Sequence, residues 1–116
     1  MKKFLAIYLG TPDGFEKWKA LDEATRKSKE AQGMKAWGDW QIAQGSRIVD
    51  GGGPLGKTKR ASPQGVSDTR NAMSGYVVIQ ADSHEAAAKL FEKHPHFTIF
   101  PGEAVEIMEV LPIPGM

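Results

Sequence analysis

The chain contains three histidines, His84, His94 and His96, and no cysteine. An imidazole changes charge near neutral pH, which makes His94 and His96 candidates for general acid and base chemistry. His94 also has a structural reading, as a side chain at a helix C-terminus where the dipole favours the charged ring. In His94-Pro95-His96 the two imidazoles fall on alternate residues, which on an extended segment would point them the same way, as metal ligands require. Without a third ligand such a site is underspecified, so no metal is assigned. Tyr8 adds a phenol able to donate a hydrogen bond to a carbonyl or phenolate oxygen. Trp18, Trp37 and Trp40 recur at helical spacing, as core anchors do, and Trp37 and Trp40 also suit the wall of a small-molecule pocket. Asp50 closes a short apolar run, where it could orient an imidazole or brace the glycines that follow. Lys57, within Lys57-Thr58-Lys59-Arg60, would offer positive charge to an acidic ligand, though such a patch is ordinarily a solvated loop.

Together these residues suggest a pocket for a small anionic or aromatic molecule near Tyr8, Trp37, Trp40, Asp50, His94 and His96. The chemistry within their reach is cofactor-free proton transfer, such as isomerisation or elimination. His94 or His96 would be the base, and Tyr8 or Lys57 would stabilise negative charge.

Gly51-Gly52-Gly53-Pro54-Leu55-Gly56-Lys57-Thr58 matches the phosphate-loop pattern G-x-x-x-x-G-K-[ST]. That motif works because a helix begins directly after it and aims its free N–H groups at the phosphates. Here Pro63 and Gly65 follow within a few residues and leave no room for that helix, so nucleotide hydrolysis is read against.

The elements that must position these residues follow from periodicity. Lys3–Leu9 is almost wholly apolar and closed by Gly10-Thr11-Pro12, which predicts a strand covered on both faces. From Asp13 the spacing turns helical through Phe15, Trp18, Leu21 and Ala24. It is expected to break at Gly33, then to resume over Met34, Trp37 and Trp40 until Gly45. Ser46–Asp50 reads as a short strand. The segment 51–74 holds five Gly and two Pro and reads as a long loop with room for a hairpin. Gly75–Ala81 is a second strand apolar on both faces. Asp82 or Ser83 caps a helix that presents Ala87, Leu90, Phe91 and His94 on one face until Pro95 ends it. Ala104–Val110 alternates as a last strand. The order β-α-β-β-α-β predicts a single ferredoxin-like α+β sandwich over residues 1–116.

Length and composition agree with one small domain: 116 residues, 41% hydrophobic, 25% charged, formal net charge +1. Neither a nucleic-acid-binding charge balance nor a membrane-length apolar run is present, and the Lys2-Lys3 start reads as a strand rather than a signal peptide, which makes the cytoplasm the default location. Charge is split along the chain, with 12 Lys/Arg against 7 Asp/Glu in residues 1–60, and 3 against 7 thereafter. In a ferredoxin-like sandwich both helices cover one face of the sheet, yet two central strands are apolar on both. Each large apolar side chain left in water would forgo roughly 1.5 to 3 kcal/mol. Pairing with the sheet of a second copy removes that cost, so a homodimer through sheet-to-sheet packing is expected.

Several short segments carry a family resemblance. Phe4–Leu9, Val49-Asp50-Gly51-Gly52-Gly53-Pro54-Leu55, Gly75-Tyr76-Val77-Val78-Ile79, Ala81-Asp82-Ser83 with Glu85 and Ala86, His94-Pro95 and Gly102–Ile107 together resemble the YCII-related (DGPF-type) family. The resemblance implies a dimeric α+β barrel, two ferredoxin-like units joined sheet to sheet, with a pocket between sheet and helices. Some members carry a histidine on the first helix paired with an aspartate as an acid/base dyad. No histidine precedes His84 here, so only the Asp50 turn and the His94-Pro95 segment correspond. Other relatives occur beside transcription sigma factors, which implies the alternative of a non-catalytic regulatory or interaction module.

Overall fold

The computed structural model describes residues 1–115. Strands β1 (Lys2–Gly10), β2 (Ile48–Pro54), β5 (Met73–Ala81) and β6 (Gly102–Glu109) form one antiparallel sheet in the order β2-β5-β1-β6. Taken in chain order, the fourth of these lies beside the first, the first beside the third and the third beside the second, which is the ferredoxin-like arrangement. Helices α1 (Pro12–Ala20), α2 (Glu23–Gln44), α3 (His84–Lys89) and α4 (Pro95–Thr98) complete the layer above the sheet.

Strand alternation decides what that layer covers. Phe4, Ala6 and Tyr8 of β1 and Val77, Ile79 and Ala81 of β5 point beneath the helices, where they pack with Ala87 and Phe91, and with Trp37 and Trp40 at the edge. The residues between them face away. Leu5 stands opposite Val78 and Met108, and Ile7 opposite Tyr76 and Glu106, with no helix over them. This outer face is the apolar surface expected from the sequence, and Met108 on it is 43% exposed.

Three boundaries differ from expectation. The long helix runs through Gly33, and the chain breaks instead at Leu21, where Asp22 accepts the Thr25 N–H and starts α2 afresh. Gly33 is kept because the Phe100 ring occupies the space a side chain would take. α3 ends at Lys89, short of the expected stop, so Pro95 ends no helix. It opens α4 as its first residue, with His94 as N-cap, so the helix-C-terminus reading of His94 is replaced and the two imidazoles do not lie on an extended segment.

The segment 51–74 is more ordered than a loop. β2 continues through Pro54, and β3 (Thr58–Ser62) pairs with β4 (Gly65–Thr69) as a separate two-stranded ribbon. Thr58 opens a strand, so the glycine-rich stretch has no helix behind it and is no phosphate loop. The ribbon is mostly exposed and extends the molecule to 54 × 43 × 18 Å. Its radius of gyration is accordingly 16.1 Å, against about 13 Å for a compact chain of this length. Among the described residues no helix is long and apolar enough to cross a membrane.

Candidate functional site

The C-terminal end of β1 and the N-terminal ends of β5 and β6 meet α2 around a cavity of about 460 Å³. Tyr8 lines it from the sheet, Trp37, Phe15, Met34 and His96 of α4 from the helices, and Phe100 from the segment after α4. Gly51–Pro54 form part of the rim, where β2 bulges between Asp50 and Gly53. Gly52 makes that bulge possible: its φ is +64°, and a side chain there would run into the Tyr76 carbonyl. No Asp, Glu, Lys or Arg is among the lining residues.

Most polar groups on this lining are already engaged. The Ser74 hydroxyl donates to the Tyr8 carbonyl at 3.1 Å, Gln41 donates to the Gly51 carbonyl at 3.0 Å, and Thr11 accepts the Gly14 N–H at 3.0 Å. The imidazoles are different. His96 Nε2 lies 2.7 Å from the Leu9 carbonyl, which can only accept, so the neutral ring carries its proton on Nε2. His96 Nδ1 is left with a free lone pair. Nδ1 makes no hydrogen bond to another residue, and His96 is one of the residues that line the cavity. Burial lowers the His96 pKa, partly countered by the Leu9 and Ala104 carbonyls, and so favours the uncharged, basic ring.

His94 sits directly behind Tyr8 and is 0% exposed. Its Nδ1 accepts the His96 backbone N–H at 3.0 Å, the N-cap bond of α4. Its Nε2 is 3.2 Å from Tyr8 Oη. Trp37, Trp40, Tyr8 and Phe91 enclose the ring with centroids at 4.4, 4.5, 5.1 and 5.9 Å. Burial, and secondarily the charge of His96, pushes the His94 pKa down to about 4, so this ring too is neutral at pH 7. Burial raises the Tyr8 pKa, so the phenol keeps its proton.

The fold thus gathers Tyr8, Trp37, Trp40, His94 and His96. Trp40 is one layer back, its indole N–H donating to the Leu90 carbonyl at 3.0 Å. Asp50 and Lys57 are not brought to the imidazoles. Asp50 accepts the Gly52 N–H at 2.9 Å and braces the glycine bulge, while Lys57 is exposed on the link to the ribbon, away from the lining. Phe100 and Gly102 escaped sequence reasoning. Two glycines against bulky rings, Gly33 under Phe100 and Gly102 under His96, are the trace they leave in the sequence. Among the described residues no three His, Asp or Glu side chains cluster as a metal site would require.

No family model matches the chain, and no curated protein does. Among solved structures it is similar to 5-chloro-2-hydroxyhydroquinone dehydrochlorinase from Burkholderia phenoliruptrix AC1100, in complex with 2,5-dihydroxybenzoquinone. The match has a TM-score of 0.52 at 15% identity and covers 91% of this chain and 90% of the other. The shared feature is the fold. It is the ferredoxin-like α+β fold. Within such a fold the cavity lies between sheet and helices, bounded by the carboxyl end of β1 and the long helix α2.

Proposed function

We propose that the chain binds a small planar, oxygen-bearing molecule in this cavity and moves a proton on it without a cofactor. The observation that carries the reading is that Tyr8 and His96, a phenol and a neutral imidazole whose Nδ1 has no protein partner, line the same mostly apolar cavity. In this reading His96 Nδ1 removes a proton from carbon or oxygen. Tyr8 Oη–H holds the oxygen on which negative charge develops, and the mostly apolar lining without fixed charge strengthens both contacts. Aromatic walls at Trp37, Phe15 and Phe100 suit a ring-sized ligand. The dehydrochlorinase of the same fold, complexed with 2,5-dihydroxybenzoquinone, supports a ligand of that shape. Cavity lining without Lys or Arg shifts the expected ligand from anionic towards neutral aromatic.

The YCII-related assignment belongs to this proposal and rests on the segments quoted from the sequence. So does the homodimer, in which the face bearing Leu5, Ile7 and Val78 packs against its copy. The non-catalytic alternative would favour a filled interior, and an open cavity with inward-facing polar groups supports ligand chemistry instead.

Exchange of the acidic C–H protons of aryl ketones into deuterated water, followed by proton NMR, tests the proposal. Catalysed exchange that vanishes in His96→Gln and drops in Tyr8→Phe is the expected result. Binding without exchange would leave a binding module. Neither binding nor exchange with any aryl ketone or hydroxyquinone would remove the reading.

A further inference from the structure

We infer that His94 is a positioning residue that turns the Tyr8 hydroxyl into a one-way donor, so that the cavity selects uncharged ligands presenting an acceptor oxygen: ketones, quinones or phenols, rather than carboxylates or ammonium compounds. This rests on the reading that the Tyr8 cavity is the binding site.

The inference follows from a chain of three hydrogen-bonding groups. A backbone N–H can only donate, so the His96 N–H at 3.0 Å obliges His94 Nδ1 to be a bare acceptor. A neutral imidazole then carries its proton on Nε2, and the 3.2 Å contact is His94 Nε2–H donating to Tyr8 Oη. The phenolic proton cannot point back at a donor. It must turn away from His94, and the space left to it is the cavity that Tyr8 lines. Reversal is closed off because turning the His94 ring over would place carbons at both polar partners, and the ring is packed by Trp37, Trp40 and Phe91. The α4 N-cap therefore sets the hydrogen-bond polarity of the cavity floor. The backbone of one imidazole residue fixes the tautomer of the other.

Ligand class follows. A ketone, quinone or phenol oxygen accepts from Tyr8, and any acidic hydrogen it carries can face His96 Nδ1, the neighbouring acceptor. A carboxylate would give up its hydration in a cavity with no Lys or Arg. An ammonium group would meet a donor at Tyr8 and, besides the neutral His96 Nδ1, no Asp or Glu to offset its lost hydration.

Two measurements on the full-length protein test this. In ¹⁵N-histidine-labelled protein, long-range ¹H–¹⁵N spectra at neutral pH should show His94 protonated at Nε2 and bare at Nδ1. A proton on His94 Nδ1 overturns the positioning role while leaving the cavity reading intact. Acetophenone, benzoate and benzylammonium, similar in size, are then titrated against the indole fluorescence. Acetophenone should bind at least about tenfold more tightly than either ion. His94→Gln, whose amide can still donate to Tyr8, should hold acetophenone within about twofold of the native chain, whereas His94→Met, of similar bulk and without a donor, should lose about tenfold. Equal affinity in His94→Met overturns the role, as does stronger binding of an ion than of the ketone. Failure of the native chain to bind acetophenone while His94 shows the expected tautomer overturns the ligand class and the cavity reading together. The spectra of the native chain decide the positioning role even if neither variant folds.

Discussion

The imidazole of His96 lies face-on against Gly102 so closely that a Cβ at position 102 would clash with the ring. Gly102 begins β6, and its missing side chain lets the ring reach across to the Leu9 carbonyl on β1. Gly102→Ala should therefore displace His96 from that carbonyl. Overpacking of this kind costs about 1 to 3 kcal/mol of stability. The expected outcome is a lowered urea midpoint together with loss of ketone binding, measured on the same preparation. Native affinity in Gly102→Ala would show that His96 has no fixed place in the cavity.

The buried neutral His94 makes stability depend on pH, and the sign is set by its lowered pKa. Its ordinary value is 6.5 and its folded value about 4, so between those limits the unfolded chain holds a proton that the folded chain does not. Stability is complete above pH 6.5, declines as pH falls and ceases to decline on this account below about 4. His96, lowered in the same direction, adds to the trend. The full span for His94 amounts to about 3 kcal/mol at most. Urea unfolding at a series of pH values should show this slope in the native chain and a shallower one in His94→Gln. An equal slope in both would mean that His94 is not held neutral.

Lys57 is a control for the phosphate-loop resemblance. The ribbon that begins at Thr58 leaves Lys57 exposed and remote from the cavity lining. Lys57→Ala should leave ketone affinity and unfolding midpoint unchanged, within about 0.5 kcal/mol. Isothermal titration with ATP and magnesium should give no heat of binding in either chain. A tenfold loss of ketone affinity would place Lys57 over the cavity after all.

How much of this was legible depended on whether a signal was local. The apolar runs at Phe4–Leu9 and Gly75–Ala81 declared the central strands because strand burial is written residue by residue. Tyr8, Trp37, His94 and His96 could be nominated by type, and the fold brings them together. Gly33 misled because helix propensity penalises glycine, whereas tertiary contact with Phe100 requires it. Pro95 misled in the opposite sense. It stops no helix, since α3 already ends at Lys89, but at N1 it starts one, and that start sets the tautomer of His94. Asp50 lay where an imidazole partner was wanted in sequence, and it proved to be committed to the Gly52 N–H. Direction of hydrogen bonding has no signature in residue type, so the division of labour between His94 and His96 needed the structure.

The outer sheet face sets the last prediction. Leu5, Ile7 and Val78 occupy neighbouring strands opposite the helices, and their half-burial comes from one another rather than from any covering layer. Completing that burial against a second copy adds only part of the roughly 1.5 to 3 kcal/mol available to each residue. Summed over both copies, that is enough for association when the interface reaches the roughly 1,000 Å² of a stable contact. Val78 stands directly opposite Leu5, at the centre of the face. Val78→Asp would place a carboxylate on the face expected to be buried between copies, beside Asp50 of β2, while the helix-covered face of β5 is untouched. Sedimentation equilibrium at micromolar concentration should report a dimer for the native chain and a monomer with native circular dichroism for Val78→Asp. Ketone affinity should persist in the monomer, because no cavity-lining residue except Tyr76 belongs to the strip formed with Leu5, Ile7 and Val78. A native chain that sediments as a monomer would show that this face is tolerated in water and that the sheet has no twin.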